Sequence, residues 1–145
     1  MYMRLALKEA KKCSPVKSAY NVGAIIVQYD KDTGAERVVS VGHSRELPGN
    51  THAEECALKK IPESTVLGDT AIFTTMEPCS VRVSGLKSCT DRILESGIKR
   101  VYYAVKEPPH FVTCNGIEIL EKNGVSVHHL FELSKECSLL NSHLD

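Results

Sequence analysis

The sequence has no tryptophan, and aromatic residues of every kind make up only 6% of its 145 residues. Neither charge is in excess, since 18 Lys and Arg balance 18 Asp and Glu. A neutral chain lacks the broad positive surface that neutralises phosphates along a duplex, and RNA recognition usually adds stacking aromatics. We therefore expect no extended nucleic-acid binding.

Long apolar segments are also missing. The longest apolar run, Val22 to Val27, is far shorter than the roughly 20 residues of a membrane-spanning helix. The first ten residues include Arg4, Lys8 and Glu9, which the apolar core of a signal peptide would not contain. We expect a protein without membrane association that works in the cytoplasm, with the nucleus as a second possible location.

No repeat, low-complexity tract or change of composition divides the chain. Its content of 42% hydrophobic and 25% charged residues is near the globular average. We therefore expect a single domain spanning residues 1–145. A domain of this size can bury a core without disulfides, so the six cysteines are expected to be free thiols in a reducing compartment.

The pattern of apolar residues predicts alternating helices and strands. Val22–Tyr29 and Arg37–Val41 are rich in β-branched residues and predict an antiparallel hairpin. The strand–helix–strand segments from Ala71 to His129 predict parallel neighbours, hence a three-layer α/β/α domain with its ligand site at the carboxyl ends of those strands. The other predicted elements are helices at Met1–Lys12, Thr51–Lys60, Asp91–Glu95, Asn115–Lys122 and Glu132–Leu140, and strands at Ala71–Thr75, Arg100–Val105 and Val125–His129.

Two short segments contain residues typical of a metal site. His52–Glu54 reads H-A-E and opens the second predicted helix, and Cys79 follows the third predicted strand. Cys89 comes after nine intervening residues. One imidazole and two thiolates leave a fourth position for water, which is the composition of a catalytic zinc site. The sequence therefore predicts zinc bound by His52, Cys79 and Cys89.

Local geometry places this ion near helix ends. His52 and Glu54 are two residues apart, so they can converge only on something beyond the start of their helix. Pro78 is typical of a first helical position, so we expect Cys79 in the first turn of its own helix, where free N–H groups stabilise a thiolate. Two helix N-termini would then meet at one ion.

Zinc lowers the pKa of bound water towards about 7, and a nearby carboxylate can carry the released proton to a leaving group. Glu54 is the predicted proton shuttle. With a planar ring carbon that carries an exocyclic amine, the reaction would be hydrolytic deamination.

Each feature has a simpler explanation when it is taken alone. Thr51 and Glu54 could form a capping box at the start of a helix. Cys79 and Cys89 could be two core thiols, and Cys56, one turn after His52, could compete as a ligand although core packing is expected for it. The joint occurrence of the motifs in this order favours zinc.

The H-A-E and P-C…C pair is the signature of zinc deaminases, and the chain resembles the cytidine deaminase superfamily along nearly its full length. The resemblance implies a five-stranded mixed sheet, zinc on His52, Cys79 and Cys89, and Glu54 as the proton shuttle. It also implies a homodimer and a pocket bordered by the loop after Val105.

Within that superfamily, many members have P-C-x-x-C. The longer gap between Cys79 and Cys89, and the segment Ser44–Glu54, resemble the fungal branch of the riboflavin-biosynthesis deaminases. That branch removes the 2-amino group of 2,5-diamino-6-ribitylamino-4(3H)-pyrimidinone 5′-phosphate. The ring-binding Asn of the bacterial relatives falls on Ala19 here.

A phosphorylated pyrimidine needs a ring slot and a cationic end. Arg82, Ser84 and Lys87 lie in the loop between the two cysteines, with Arg82 and Lys87 expected to bind phosphate. Strand ends and the start of the second helix supply the other candidates for the ring and ribityl chain, which are Asn21, Ser44 and the backbone of Ala53.

Other members of the superfamily share the same zinc chemistry. A cytidine, deoxycytidylate or guanine-type deaminase is therefore a second hypothesis. A tRNA-editing deaminase subunit, or an inactive binding protein with structural zinc, is a third, although an inactive member would be expected to lose Glu54.

Overall fold

Five strands form one mixed sheet in the computed structural model, which describes residues 1–62, 68–82, 85–108 and 114–144. The sheet order is β2-β1-β3-β4-β5. β1 pairs antiparallel with β2 and β3, whereas β4 is parallel to β3 and β5. The predicted hairpin and parallel neighbours are confirmed. The strands are β1 (Gly23–Tyr29), β2 (Glu36–His43), β3 (Asp69–Met76), β4 (Arg100–Val105) and β5 (Ser126–His129).

Five α-helices accompany the sheet in the predicted order. Short 3₁₀ turns flank the last of them, at Phe131–Leu133 and Ser142–Leu144. No helix within the described ranges is long and apolar enough to cross a membrane. The helices are α1 (Tyr2–Ala10), α2 (Ala53–Lys59), α3 (Cys89–Ser96), α4 (Gly116–Lys122) and α5 (Ser134–Leu139).

Side chains of β1 alternate between two apolar clusters, as the pleat of a strand requires. Ala24 and Ile26 pack in a cluster that includes residues of α2, α3 and α4. Ile25 and Val27 pack in a second cluster with residues of α1 and α5. The sheet is therefore buried on both faces, and the predicted three-layer α/β/α architecture is confirmed.

Gly42 brings α2 close to the sheet. A Cβ atom at this position would overlap the backbone of Ala53 and Ala57. Because only glycine allows this approach, the first turn of α2 lies directly against the end of β2. The residues around His52 are thereby held at the edge of the sheet.

Two of the predicted helix starts are wrong. Cys79 lies in an irregular segment and not in a helix. Its carbonyl accepts a hydrogen bond from Thr90 N at 3.0 Å, so the backbone of Cys79 pairs with the start of α3 and forms no helical turn of its own. Thr51 does not cap α2, because its hydroxyl donates to Leu47 O at 2.9 Å. The residue that precedes the first turn of α2 is His52.

Candidate metal centre and pocket

The site lies where the sequence predicts it, at the carboxyl ends of the parallel strands. β3 and β4 end side by side, and Glu77 N donates to Val105 O at 2.8 Å just beyond them. The first residues of α2 and α3 approach the same edge. A helix N-terminus carries free N–H groups, which favour negative charge nearby.

Three potential ligands meet at this edge. His52 Nδ1 is 3.5 Å from Cys79 Sγ and 3.4 Å from Cys89 Sγ, and the donor atoms of all three residues lie within 4.8 Å of one another. A tetrahedral zinc with bonds of about 2.0–2.1 Å to nitrogen and about 2.3 Å to sulfur separates such atoms by about 3.6 Å. The two nitrogen–sulfur distances match this value, so the three residues fit a zinc ion.

The surroundings of the Cys79 thiol favour negative charge on its sulfur. Cys89 N donates to Cys79 Sγ at 3.3 Å. Hydrogen bonding from Cys89 lowers the pKa of the Cys79 thiol, and His52 acts in the same direction, while the pKa of Cys89 is raised. Ser88 caps the helix at this point, since its hydroxyl accepts from Asp91 N at 3.1 Å.

Cys56, the competing ligand, lies outside the ligand cluster. Its side chain is fully buried on α2. None of the six cysteines forms a disulfide.

Glu54 lies beside the ligand cluster and is 4% exposed. Its Oε1 accepts a hydrogen bond from Thr74 Oγ1 at 2.6 Å. Burial raises the pKa of Glu54 above its ordinary value. The capping box falls on the next residue instead, because His52 N donates to Glu55 Oε1 at 3.2 Å. The capping explanation of Glu54 is therefore wrong.

A pocket opens next to Glu54 and Cys79. Three of the candidate substrate-binding residues, Ser44, Ala53 and Arg82, line it. Asn21 and Lys87 are not among its lining residues. Ser84, the remaining candidate, lies outside the described residues.

The two candidate phosphate-binding residues in the loop between Cys79 and Cys89 have different surroundings. The guanidinium of Arg82 is buried and forms an ion pair with Glu55 at 2.9 Å, and it also donates to Asn50 O. The ammonium group of Lys87 is exposed and pairs with Glu95 at 2.8 Å. The sequence did not reveal this difference, because both residues are cations in the same loop.

Hydrogen bonds hold Asn21 and Ser44, two of the candidate residues for the ring and the ribityl chain. The Asn21 side chain is buried, accepts from Arg45 and donates to Leu140 O. Ser44 Oγ accepts from Val22 N at 2.9 Å. Ala53 lies in the first turn of α2, at the pocket wall.

Glu107 also lines the pocket, although no sequence motif singles it out. It lies in the loop after β4, which the resemblance places at the border of the pocket, but nothing in its local pattern distinguishes it. Glu107 N donates to Glu77 Oε1 at 2.8 Å. Burial raises the pKa of Glu107 to about 7.

Comparison with known proteins agrees with this geometry. Residues 1–105 match a family model described as the cytidine and deoxycytidylate deaminase zinc-binding region. Over 140 residues the chain is 45% identical to a diaminohydroxyphosphoribosylamino-pyrimidine deaminase of Schizosaccharomyces pombe. This match covers 94% of this chain and 33% of that protein. The chain therefore spans about a third of the length of that relative.

Two further relatives match over most of their length. A protein of the same name from Buchnera aphidicola subsp. Schizaphis graminum is 35% identical, and the match covers 97% of this chain and 88% of that one. The crystal structure of Aspergillus oryzae Rib2 deaminase in complex with DARIPP superposes with a TM-score of 0.83 at 33% identity, covering 96% of this chain and 87% of the other. The chain belongs to the cytidine and deoxycytidylate deaminase family, the shared region of which binds zinc.

Proposed function

We propose that this chain is a zinc-dependent hydrolytic deaminase of riboflavin biosynthesis that removes the 2-amino group of 2,5-diamino-6-ribitylamino-4(3H)-pyrimidinone 5′-phosphate. The observation that carries the proposal is the placement of Glu54. It is a buried carboxylic acid beside three zinc-fitting donors, at the wall of a pocket. A proton carrier next to a metal that activates water is what hydrolysis of a ring amine needs.

His52, Cys79 and Cys89 would hold the zinc, which supplies a Lewis acid that makes water nucleophilic at neutral pH. Thr74 fixes one oxygen of Glu54, Oε1, and leaves Oε2 to carry the proton. As the oxygen of the attacking water bonds to the ring carbon, Glu54 takes a proton from that water and passes it to a ring nitrogen. Glu54 then takes the second proton from the added hydroxyl and delivers it to the amine. The carbon–nitrogen bond breaks, ammonia departs and a ring carbonyl remains.

The buried position of Glu54 supports this role. Burial disfavours the carboxylate and raises the pKa of Glu54, so the group holds a proton more readily between the two transfers. General acid–base catalysis is most effective when the pKa of the catalytic group approaches the working pH.

We also propose that the substrate-binding residues predicted from the sequence contact the pyrimidine substrate. Ser44 and the backbone of Ala53 would contact the ring or the ribityl chain at the pocket wall. Arg82 lines the pocket and would bind phosphate there only after its guanidinium, which is buried against Glu55, became accessible. Asn21 and Lys87 would first have to release their present partners, Arg45 and Glu95. Ser84 stays a proposal from the sequence alone.

The ribityl substrate is supported by the resemblance of Ser44–Glu54 to the fungal branch and by the Aspergillus oryzae structure solved with DARIPP. The names of the S. pombe and Buchnera relatives contain a phosphoribosylamino group instead, which makes the ribosyl compound the competing substrate. The family description makes a deoxycytidylate deaminase the second candidate.

We further propose that the 145 residues form a single deaminase domain that works in the cytoplasm as a homodimer, without extended nucleic-acid binding. Unpaired cysteines support a reducing compartment, and the zero net charge supports the absence of nucleic-acid partners. The dimer is supported by the superfamily resemblance alone. Sedimentation that finds a monomer at micromolar concentration would contradict it.

Mass spectrometry of the product tests the hydrolytic reaction. In water enriched in ¹⁸O, the zinc-loaded protein should convert the ribityl substrate into a product that has lost its 2-amino group and gained one labelled oxygen. Conversion of cytidine nucleotides alone, with the diaminopyrimidine phosphate unchanged, would contradict the proposed substrate.

A further inference from the structure

Each of the three candidate zinc ligands is followed, three positions later, by a charged residue. The three charged residues meet in space, just as the ligands do. The pairs are His52 with Glu55, Cys79 with Arg82, and Cys89 with Arg92.

Glu55 is the centre of this second cluster. Its Oε1 lies 2.9 Å from Arg82 Nη1, and its Oε2 lies 3.2 Å from Arg92 Nη2. The same carboxylate accepts a hydrogen bond from His52 N and pairs with Lys59 at 2.9 Å. One side chain thus connects the three segments that carry the zinc ligands.

The cluster is shielded from water. The side chain of Glu55 is 3% exposed and that of Arg82 is 1% exposed, whereas Arg92 is 22% exposed. Removing one partner of a buried ion pair leaves the other charge without compensation, which is strongly unfavourable. Breaking the ion pair between Glu55 and Arg82 would therefore cost much free energy, because water does not reach these charges to replace the lost contact.

The long loop between Cys79 and Cys89 needs contacts that keep the two thiols together, and the cluster around Glu55 supplies such contacts. With nine residues between Cys79 and Cys89, the chain alone does not hold the two thiols together, and closing a flexible loop costs entropy. Arg82 also donates to Lys87 O at 3.3 Å, so it connects the beginning and the end of this loop. Glu55 then joins the closed loop to α2.

We propose that Glu55 is a positioning residue of the zinc site. Its carboxylate holds Arg82 and Arg92, and with them Cys79 and Cys89, at the distance from His52 that zinc requires. The inference rests on the proposed function only in taking these three ligands as a zinc site. Residues that orient metal ligands typically change metal affinity by 10- to 100-fold when they are replaced.

Zinc affinity of Glu55→Gln, measured by competition with a chelator, tests this proposal. The matched control is Glu95→Gln, which removes an exposed carboxylate of α3 that pairs with Lys87 of the same loop. We expect zinc to bind at least about tenfold more weakly to Glu55→Gln and within about twofold of wild type to Glu95→Gln. The thermal midpoint of the zinc-free proteins is measured alongside.

A merely structural role would lower the thermal midpoint of Glu55→Gln and leave the zinc affinity of the folded protein unchanged, and that result would overturn the proposal. Should Glu55→Gln fail to fold, the more exposed Arg92 provides the test. Arg92→Gln should weaken zinc binding, and Arg92→Lys, which keeps the charge, should restore part of it. Wild-type zinc affinity in both Arg92 variants would also overturn the proposal.

This measurement separates the two proposals because it reads metal binding and not turnover. A wild-type protein that binds zinc but deaminates nothing contradicts the proposed function alone. Equal zinc affinity in wild type and Glu55→Gln contradicts the positioning role alone.

Discussion

The hydroxyl of Thr74 lies 2.6 Å from Oε1 of Glu54, and both side chains are buried. The same hydroxyl is 2.9 Å from Met76 O. A threonine hydroxyl has one proton, so it can donate to only one of these oxygens at a time. The hydroxyl at the end of β3 therefore contacts the carboxyl group of Glu54 on α2 while the carbonyl of Met76 competes for the same proton.

Thr74→Val should lower kcat by about 10- to 100-fold, because a hydrogen bond to a charged group contributes about 1.5–3 kcal/mol. The zinc content should stay at the wild-type level, since the Thr74 hydroxyl bonds to Glu54 and to Met76 O, neither of which is a candidate ligand. Thr70→Val is the control, because Thr70 is equally buried on the same strand and its hydroxyl has no partner among the described residues. An equal loss of turnover in both variants would contradict a specific role of Thr74.

Glu54→Gln should keep the fold and the zinc and lose turnover by about 10²- to 10⁴-fold. Glutamine has nearly the same shape but cannot accept and release the proton. Ammonia release and zinc content are measured on the same preparation. A Glu54→Gln protein with wild-type turnover would show that another group moves the proton.

Cys79→Ser should lose most of its bound zinc and all turnover, because the serine hydroxyl is a much weaker ligand than a thiolate. Cys56→Ser is the matched control, since Cys56 is a buried cysteine outside the ligand cluster. We expect this variant to be less stable and to bind zinc at the wild-type ratio, measured by atomic absorption. Zinc loss in Cys56→Ser with retention in Cys79→Ser would reverse the ligand assignment.

Gly42→Ala should lower the free energy of unfolding by about 1–3 kcal/mol, because the new Cβ would force α2 away from the sheet. Gly68→Ala is the control, since a Cβ at Gly68 meets no atom of the described residues within 4 Å. Urea unfolding of both variants checks the difference. A Gly42→Ala protein as stable as Gly68→Ala would show that α2 can shift at no cost.

Much of the fold could be predicted because its signals are local. β-branched runs and single Gly and Pro residues gave the order of helices and strands, and strand–helix–strand segments implied the parallel part of the sheet. The ligand types of His52, Cys79 and Cys89 could be read without coordinates, because zinc chemistry restricts which side chains can serve.

The remaining features depend on contacts between segments that are distant in sequence. Cys79 forms no helical turn of its own, because Thr90 N bonds to Cys79 O across the loop, and α3 begins at Cys89, two residues before the predicted Asp91. Glu55 and not Glu54 turns back to the helix start, because Arg82 and Arg92 lie on that side. The composition of the loop does not show that Arg82 is buried and Lys87 exposed.

The most direct test of the central claim is ammonia release by the zinc-loaded protein from five compounds: the ribitylated diaminopyrimidine phosphate, its ribosyl counterpart, cytidine, deoxycytidylate and guanine. We predict the highest kcat/KM for the ribityl compound and no turnover of cytidine, deoxycytidylate or guanine. Preference for the ribosyl compound would correct the substrate within the same pathway. Turnover of cytidine or deoxycytidylate alone, or of none of the five with zinc bound, would contradict the proposed function.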